Sequence, residues 1–199
     1  NDKKYAITLT GKSDTVSSYD GKEHMVSGVE QDKWTFDGVE YTVSNYHANV
    51  SGVDAGTYGN IVTSGEDGYK VTDPNGNDVT EEFSISAAPG TLTIKPAEVT
   101  VTAGSATRAY NGSALTAADA EHEFTAEGFV GEDGIASATV EGSITNVGET
   151  ESNVVQGSVV LKDGTKASNY SITYKPGKFE VTPVADEVVV TIAEKSNTK

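Results

Sequence analysis

Cysteine is absent from the chain of 199 residues. Its absence excludes a disulfide framework, thiolate catalysis and cysteine-based zinc sites. Histidine occurs only three times, and no pair has the spacing of a metalloprotease motif. A Gly-x-Ser-x-Gly nucleophile elbow is also missing. These absences predict a protein that is not an enzyme.

Basic side chains are few: 14 stand against 30 acidic ones, which gives a formal net charge of -16. Nucleic acid and anionic membrane surfaces both require a basic patch, so we expect neither as a partner. Apolar runs are short as well, and none approaches the roughly 20 residues that span a bilayer. We therefore expect no direct membrane insertion and an acidic, highly soluble surface.

A repeated motif is what the sequence does contain. Tyr-Asp-Gly stands at 19–21 and Tyr-Asn-Gly at 110–112, and each follows a segment in which apolar residues and threonine alternate. A Pro-Gly-x-x-x-x-x-Pro segment closes both copies, at 89–96 and 176–183. The repeat predicts three parts, which are a first β domain (1–96), a second β domain (97–184) and the start of a third repeat or a linker (185–199).

Both copies are predicted to be all-β. Short alternating segments separated by Gly, Asp and Asn indicate strands joined by turns. About seven strands in 90 residues favour two tandem immunoglobulin-like β-sandwich domains, with β-grasp-like repeats as the alternative. A helical turn is expected only at Ala114–Glu123. The expected strands are 5–10, 24–29, 33–36, 39–46, 60–63, 68–72, 82–87, 91–95, 98–103, 122–128, 136–145, 152–161, 169–175 and 178–183.

The order of the motifs resembles a known family. Tyr-(Asp/Asn)-Gly is followed by Gly-Phe-x-Gly-Glu-Asp (128–133), Asn-Val-Gly (146–148), Asn-Tyr-x-Ile (169–172) and Pro-Gly-x-Phe-x-Val-x-Pro (176–183). This pattern resembles the tandem YDG or MBG-type extracellular repeats of surface adhesins from gut-type Gram-positive bacteria. The second copy fits better than the first. The resemblance implies a non-enzymatic repeat of an adhesin or stalk and supplies no catalytic residues.

The Tyr-x-Gly motif has a structural interpretation. Gly21 and Gly112 are expected at positive φ, where a Cβ would clash. Asp20 and Asn111 are expected to cap these turns with their side chains. The tyrosine rings are expected to pack at the sheet edge. A ligand platform at the domain tip is the alternative interpretation.

Aromatic residues are concentrated in the first copy. Alternation places Trp34 with Phe36 on one face of a strand, and Tyr41 follows on the next strand. These residues are expected mostly in the core. The alternative is a surface on which a sugar ring stacks, with Asp37 and Glu40 supplying hydrogen bonds. The candidate binding residues are then Trp34, Tyr41 and Tyr46.

One segment is a candidate calcium loop, because Asp73, Asn75 and Asn77 alternate around Gly76. The twelfth position of the loop is Ser84 rather than glutamate, so a hairpin turn is the preferred interpretation and we predict no cofactor. An intramolecular Lys–Asn isopeptide bond that uses Asn169 is a further hypothesis.

These observations favour a spacer or stalk that projects an adhesive domain. The alternative is a carbohydrate- or mucin-binding adhesin module, with a host glycan, mucin or matrix protein as partner. We expect a monomer within a longer multi-repeat chain, because the sequence starts at Asn and ends within a repeat. The expected location is extracellular, attached to the cell surface or the cell wall.

Overall fold

The computed structural model describes residues 3–185 and 190–191. In this part of the chain the regular elements are short strands and single turns of 3-10 helix, with no α-helix. The all-β fold class predicted from the sequence is confirmed. The immunoglobulin-like sandwich and the β-grasp alternative stay predictions.

The strands are short because glycine and Asx turns interrupt the alternating pattern every few residues. In the first half they are β1 (Tyr5–Thr10), β2 (Asp14–Val16), β3 (His24–Ser27), β4 (Lys33–Phe36), β5 (Val39–Ser44), β6 (Tyr46–Gly52), β7 (Gly56–Asn60), β8 (Val62–Ser64), β9 (Lys70–Thr72), β10 (Phe83–Ala88) and β11 (Gly90–Ile94). In the second half they are β12 (Ala97–Ala103), β13 (Ala106–Ala109), β14 (Leu115–Thr116), β15 (Phe124–Glu127), β16 (Ile135–Ser137), β17 (Val140–Glu141), β18 (Ser143–Ile144), β19 (Gly148–Val154), β20 (Val160–Leu161), β21 (Tyr170–Lys175) and β22 (Gly177–Thr182).

Single 3-10 turns occur at Thr80–Glu82, Ala117–Asp119, Gln156–Ser158 and Ala167–Asn169. The longer helical turn expected at Ala114–Glu123 is wrong, because this segment is β14 followed by one 3-10 turn. A capping box explains why the turn begins where it does. The Thr116 backbone N–H donates to Asp119 Oδ2 at 2.8 Å, and this bond stabilises the first residues of the turn.

The chain divides into two compact units, whose boundaries differ from those of the sequence repeats. The first unit contains the described residues up to Thr100 together with Glu127–Ile135 and Leu161–Thr173. The second unit contains Val101–Ala126, Ala136–Val160 and the described residues from Tyr174 onward. The domains predicted at 1–96 and 97–184 stay predictions. The start of a third repeat, expected at 185–199, lies outside the described residues except for 185, 190 and 191.

In the first unit the opening strand changes its partner at Gly11. β1 pairs in parallel with β10, and β2 then pairs in parallel with β11, which pairs on its other side with β7. The change brings two backbones too close for a side chain. A Cβ on Gly11 would lie 2.5 Å from the Asn60 carbonyl oxygen, and one on Gly90 would lie 2.2 Å from the Lys12 carbonyl oxygen. The buried Asn60 amide donates to that Lys12 oxygen at 3.0 Å.

The second unit is built in the same way. β13 pairs in parallel with β22, and β19 pairs antiparallel with the other side of β22. A Cβ on Gly177 would lie 2.2 Å from the Gly104 carbonyl oxygen, and the buried Ser152 hydroxyl donates to that same oxygen. Each repeat thus uses a glycine pair and one buried polar side chain to exchange strand partners.

Two antiparallel three-stranded sheets complete the first unit, in the orders β3-β6-β8 and β4-β5-β9. The core of this unit consists of Ile7, Leu9, Val29, Val43, Val62, Val71 and Phe83, and a smaller cluster consists of Val26, Leu92 and Ile94. In the second unit the core consists of Leu115, Ala117, Phe179 and Val181. Each fully buried valine, leucine, isoleucine or phenylalanine side chain stabilises the fold by about 1.5–3 kcal/mol.

Candidate functional site

The three predicted sugar-binding residues lie in the first unit. Trp34 on β4 stands directly opposite Tyr41 on β5, and Tyr46 begins β6. All three side chains are half-buried and pack against the main core of that unit. Burial, followed by the nearby carboxylate of Asp32, raises the pKa of Tyr46. The residues therefore contribute to the core, and their role in sugar binding stays a prediction.

Tyr41 belongs to a group of four aromatic rings in contact with one another. Its ring centroid lies 5.0 Å from that of Phe83 and 6.4 Å from that of Phe36, while the Tyr5 ring stacks on Phe36 at 4.6 Å. Edge and offset contacts of this kind contribute stability beyond simple area burial. The sequence placed Trp34 and Phe36 on one face correctly, since both are half-buried while Lys33 and Thr35 are exposed.

The polar groups expected around a sugar already have partners within the protein. The Tyr5 hydroxyl donates to Asp37 Oδ2, and this bond is the main cause that raises the pKa of Tyr5. Lys33 Nζ donates to Glu40 Oε1 at 3.3 Å. A sugar at this position would have to compete with, or add to, these hydrogen bonds.

The candidate calcium loop forms a tight turn organised by Asp73. Its Oδ1 accepts hydrogen bonds from the backbone N–H groups of Asn75 and Asn77, each at 2.9 Å, and its Oδ2 accepts from the Asn77 side chain at 2.8 Å. These bonds, with that of the Asn77 side chain the largest cause, lower the pKa of Asp73. A hairpin turn explains the Asp and Asn residues, and calcium binding stays an untested hypothesis.

The two Tyr-x-Gly motifs form the turns that the sequence predicts. Gly21 has a φ of 73° and Gly112 a φ of 80°. Asp20 Oδ1 accepts a hydrogen bond from the N–H two residues later, and Asn111 Oδ1 does the same, each at 3.0 Å. The surroundings differ, because Tyr110 is 42% exposed whereas Tyr19 is partly covered. The same turn is thus used in two different environments.

Three motifs of the repeat pattern meet around Tyr170 in the first unit. The Tyr19 ring stands edge-on to the Tyr170 ring at 5.6 Å, and the Phe129 ring stands edge-on to it at 4.8 Å. We call Tyr19, Phe129 and Tyr170 the tyrosine cluster. Tyr19 comes from the first sequence repeat, and the other two rings come from the second. The cluster therefore joins the Tyr-Asp-Gly, Gly-Phe and Asn-Tyr motifs.

The buried hydroxyl of Tyr170 ties the cluster to the following loop. It donates to Asp133 Oδ2 and accepts a hydrogen bond from the Val130 backbone N–H at 3.2 Å. Burial and then the bond to Asp133 raise the pKa of Tyr170 to about 12. The acidic residue that ends the Gly-Phe-x-Gly-Glu-Asp motif is thus a hydrogen-bond acceptor for this tyrosine.

A second contact between the repeats lies beside the cluster, and its centre is Asp54. Asn169 Nδ2 donates to Asp54 Oδ1 at 3.0 Å, and Lys166 Nζ donates to Asp54 Oδ2 at 2.6 Å. The Ala55 backbone N–H donates in turn to Asn169 Oδ1 at 2.8 Å. The bonds from Asn169 and Lys166 lower the pKa of Asp54, and Asp54 raises that of Lys166. Asn169 is only 1% exposed, so both ends of its amide are satisfied inside the protein.

Sequence reasoning missed these contacts. It used Gly128–Asp133 and Asn169–Tyr170 only as marks of a family, and it considered Asn169 for an isopeptide bond, which stays untested. The available signal was asymmetry: Asn169-Tyr170 in the second repeat matches Glu82-Phe83 in the first, which lacks the amide and the hydroxyl.

Open clefts flank the contacts. One of about 480 Å³ is lined by Tyr19, Pro96, Gly128 and Val130. Among residues 3–185 and 190–191, no three His, Cys, Asp or Glu side chains are grouped so that they could hold a metal ion. The helices of this described part are all too short to cross a membrane.

Comparison with known proteins adds a family assignment for one segment. Residues 99–180 match the family model of the MBG domain (YGX type). The match covers less than half of the chain and confirms the MBG-type resemblance for the second repeat. No significant match to a curated protein or to a solved structure was found.

The matched segment includes Asp133, Asn169 and Tyr170, so it supplies residues to both contacts described above. MBG domains are repeat or binding modules found in surface-associated proteins, and they are not a known enzyme family. The bacterial, gut-type source implied by the resemblance stays a prediction.

Proposed function

We propose that this chain is a non-catalytic spacer of an extracellular surface protein, which holds an adhesive domain away from the cell. The observation that carries the proposal is that residues of the repeat motifs contact one another. Inside the first compact unit, Tyr19 and Asp54 of the first sequence repeat contact Tyr170 and Asn169 of the second, and Asp133 accepts a hydrogen bond from Tyr170. Motif residues that bind each other serve the connection of repeats rather than a ligand.

A spacer must keep its repeats from moving freely, and the chain has features that suit this. The link between the repeats, Pro96-Ala97-Glu98, is short and contains no glycine, so little chain freedom remains there. The net charge of -16 suits a module that has to stay soluble at an exposed surface. Attachment to a cell wall or cell surface belongs to the same proposal.

Stiffness can be measured directly, because a chain without cysteine accepts two spin labels without competing sites. We would label Thr63→Cys and Asp163→Cys, which are exposed positions of the first unit in different sequence repeats. One narrow distance distribution by pulsed electron paramagnetic resonance supports the spacer. Tyr19→Ser should broaden the distribution, and the matched change Tyr110→Ser should not. A broad distribution in the unmodified chain refutes the proposal.

Carbohydrate or mucin binding is the second candidate. The observation in its favour is the half-buried aromatic group of the first repeat, where Trp34 and Tyr41 stand side by side with part of each ring exposed. Exposed aromatic faces can stack on sugar rings. A glycan and mucin array, probed with the chain and with Tyr46→Phe and Trp34→Phe variants that still fold, tests the idea. An array on which the unmodified chain finds no ligand removes it.

A further inference from the structure

The ends of the two repeats can be compared because the same backbone bonds anchor them. The Tyr19 N–H donates to the Lys95 carbonyl oxygen at 2.7 Å, and the Tyr110 N–H donates to the Thr182 carbonyl oxygen at 2.9 Å. Lys95 and Thr182 occupy corresponding places at the ends of β11 and β22. The two tyrosines are therefore equivalent positions at the tips of their repeats.

A second loop at each tip is equivalent as well. Gly56 lies opposite Ile94 in the first repeat, and Gly148 lies opposite Val181 in the second, with φ angles of 155° and 146°. The residues just before these glycines therefore correspond: Asp54 and Ala55 in the first repeat, and Asn146 and Val147 in the second.

The equivalent surfaces differ in what covers them. In the first repeat, Tyr170 packs on Tyr19, and Asn169 bonds to Asp54 and Ala55. In the second repeat, the corresponding side chains are exposed: Tyr110 is 42% exposed, Val147 is 53% exposed and Val184 is 46% exposed. Val184 follows the closing proline of its repeat, as Ala97 does in the first repeat. Ala97 is only 4% exposed. Exposed apolar side chains grouped at one end of a module are typical of an interaction surface.

We infer that Tyr110, Asn146, Val147 and Val184 form a docking surface, here called the second tip, for a further repeat that presents an Asn-Tyr pair. The inference rests on the proposed spacer function and names the partner at the next joint, where a joint is the contact between two consecutive repeats. Another copy of this chain does not fit, because its own Asn169 and Tyr170 are 1% and 7% exposed and already engaged. The partner must bring a free Asn-Tyr pair.

The chemistry of the second tip sets what that partner needs. Asn146 is neutral where Asp54 carries a charge, so the ion pair that Lys166 makes in the first joint has no counterpart. An asparagine amide on the partner can still bond to Asn146 and to the Val147 N–H. Val147 replaces Ala55 and adds apolar area to bury. The second joint is thus more apolar and less sensitive to salt than the first.

A tandem extension tests the inference in the intact protein. A second copy of residues 98–184 is inserted directly after Val184, and residues 185–199 follow it. Docking should slow hydrogen exchange of the Val147 amide by about tenfold relative to the original chain, which corresponds to ~1.4 kcal/mol. Val147→Asp should remove this protection, whereas Val160→Asp, at a valine that is 55% exposed, should leave it intact. An unchanged Val147 exchange rate beside a folded inserted copy overturns the inference.

A graft keeps the inference testable if the inserted copy does not fold. Asp54→Asn and Ala55→Val together give the first tip the residues of the second. If Asn146 and Val147 can receive an Asn-Tyr pair, the amide at position 55 stays protected in this variant, and loss of protection overturns the inference. The labelled Thr63→Cys and Asp163→Cys chain separates the two ideas. If its distance distribution is narrow but the tandem extension and the graft both fail, only the docking role of the second tip is rejected. A broad distance distribution rejects the proposed spacer function itself.

Discussion

Replacement of Tyr170 by phenylalanine tests the contact on which the proposed function depends. The variant keeps the ring and its packing against Tyr19 and Phe129 but loses the hydroxyl. Asp133 loses a donor, and the Val130 N–H loses its acceptor. Removing one partner of buried hydrogen bonds, one of them to a charged group, costs about 1–3 kcal/mol. We expect the first unit to be destabilised by that amount.

The assay is equilibrium urea unfolding followed by the fluorescence of Trp34. This residue is the only tryptophan and lies in the first unit, so the signal reports on the correct part of the chain. Tyr110→Phe is the matched control, because its ring is 42% exposed, and a change of about 0.5 kcal/mol or less is expected there. Equal effects of the two substitutions would refute the role assigned to the Tyr170 hydroxyl.

The same pair of proteins carries a pH signature. The Tyr170 hydroxyl loses its proton near its ordinary pKa of 10.0 in the unfolded chain but only near about 12 in the folded one. The unfolded state therefore binds fewer protons between these values, and stability is lost as the pH rises through that window. Tyr170→Phe lacks this loss, so its deficit relative to the unmodified chain should shrink above pH 10. A deficit that does not change with pH contradicts the assignment.

Three further predictions concern other parts of the fold. Gly177→Ala should destabilise the second unit by ~2 kcal/mol or more, because the new Cβ collides with backbone atoms. Gly157→Ala is the control and should be neutral, because nothing lies within 4 Å of the new Cβ. Thermal unfolding of both variants measures the difference. Asp54→Ala should lower the melting temperature at pH 7. This effect should shrink as the pH falls from the ordinary pKa of 3.8 through the lowered pKa of Asp54 in the folded protein, because the group gives this stability only while it is ionised; an equal effect at low pH would contradict this. Calcium titration by calorimetry should show no heat, because Asp73 already accepts the hydrogen bonds of its own turn, and saturable heat would establish a calcium site.

Local patterns in the sequence were sufficient for part of the local structure. Alternation of apolar and polar residues identified β1 and β4 with their observed bounds, because each side chain's face in a strand depends only on its neighbours. The Tyr-x-Gly turns were also predictable, since a glycine at positive φ and an Asx cap are properties of three or four residues. The short strands β2 and β13 were not expected. Their only support is parallel pairing with β11 and β22, more than 70 residues away.

The candidate site divides in the same way. Composition and repeated motifs were enough to predict that this protein is all-β and acidic and that its second repeat resembles an MBG domain, because local residues carry each of these properties. Only the tertiary structure decided that Tyr19 meets Tyr170, that Asp54 meets Asn169, and that Tyr110 in the same turn is exposed. A motif specifies the shape of its own turn. What packs against that turn depends on chain segments more than 100 residues distant, and no local pattern contains them.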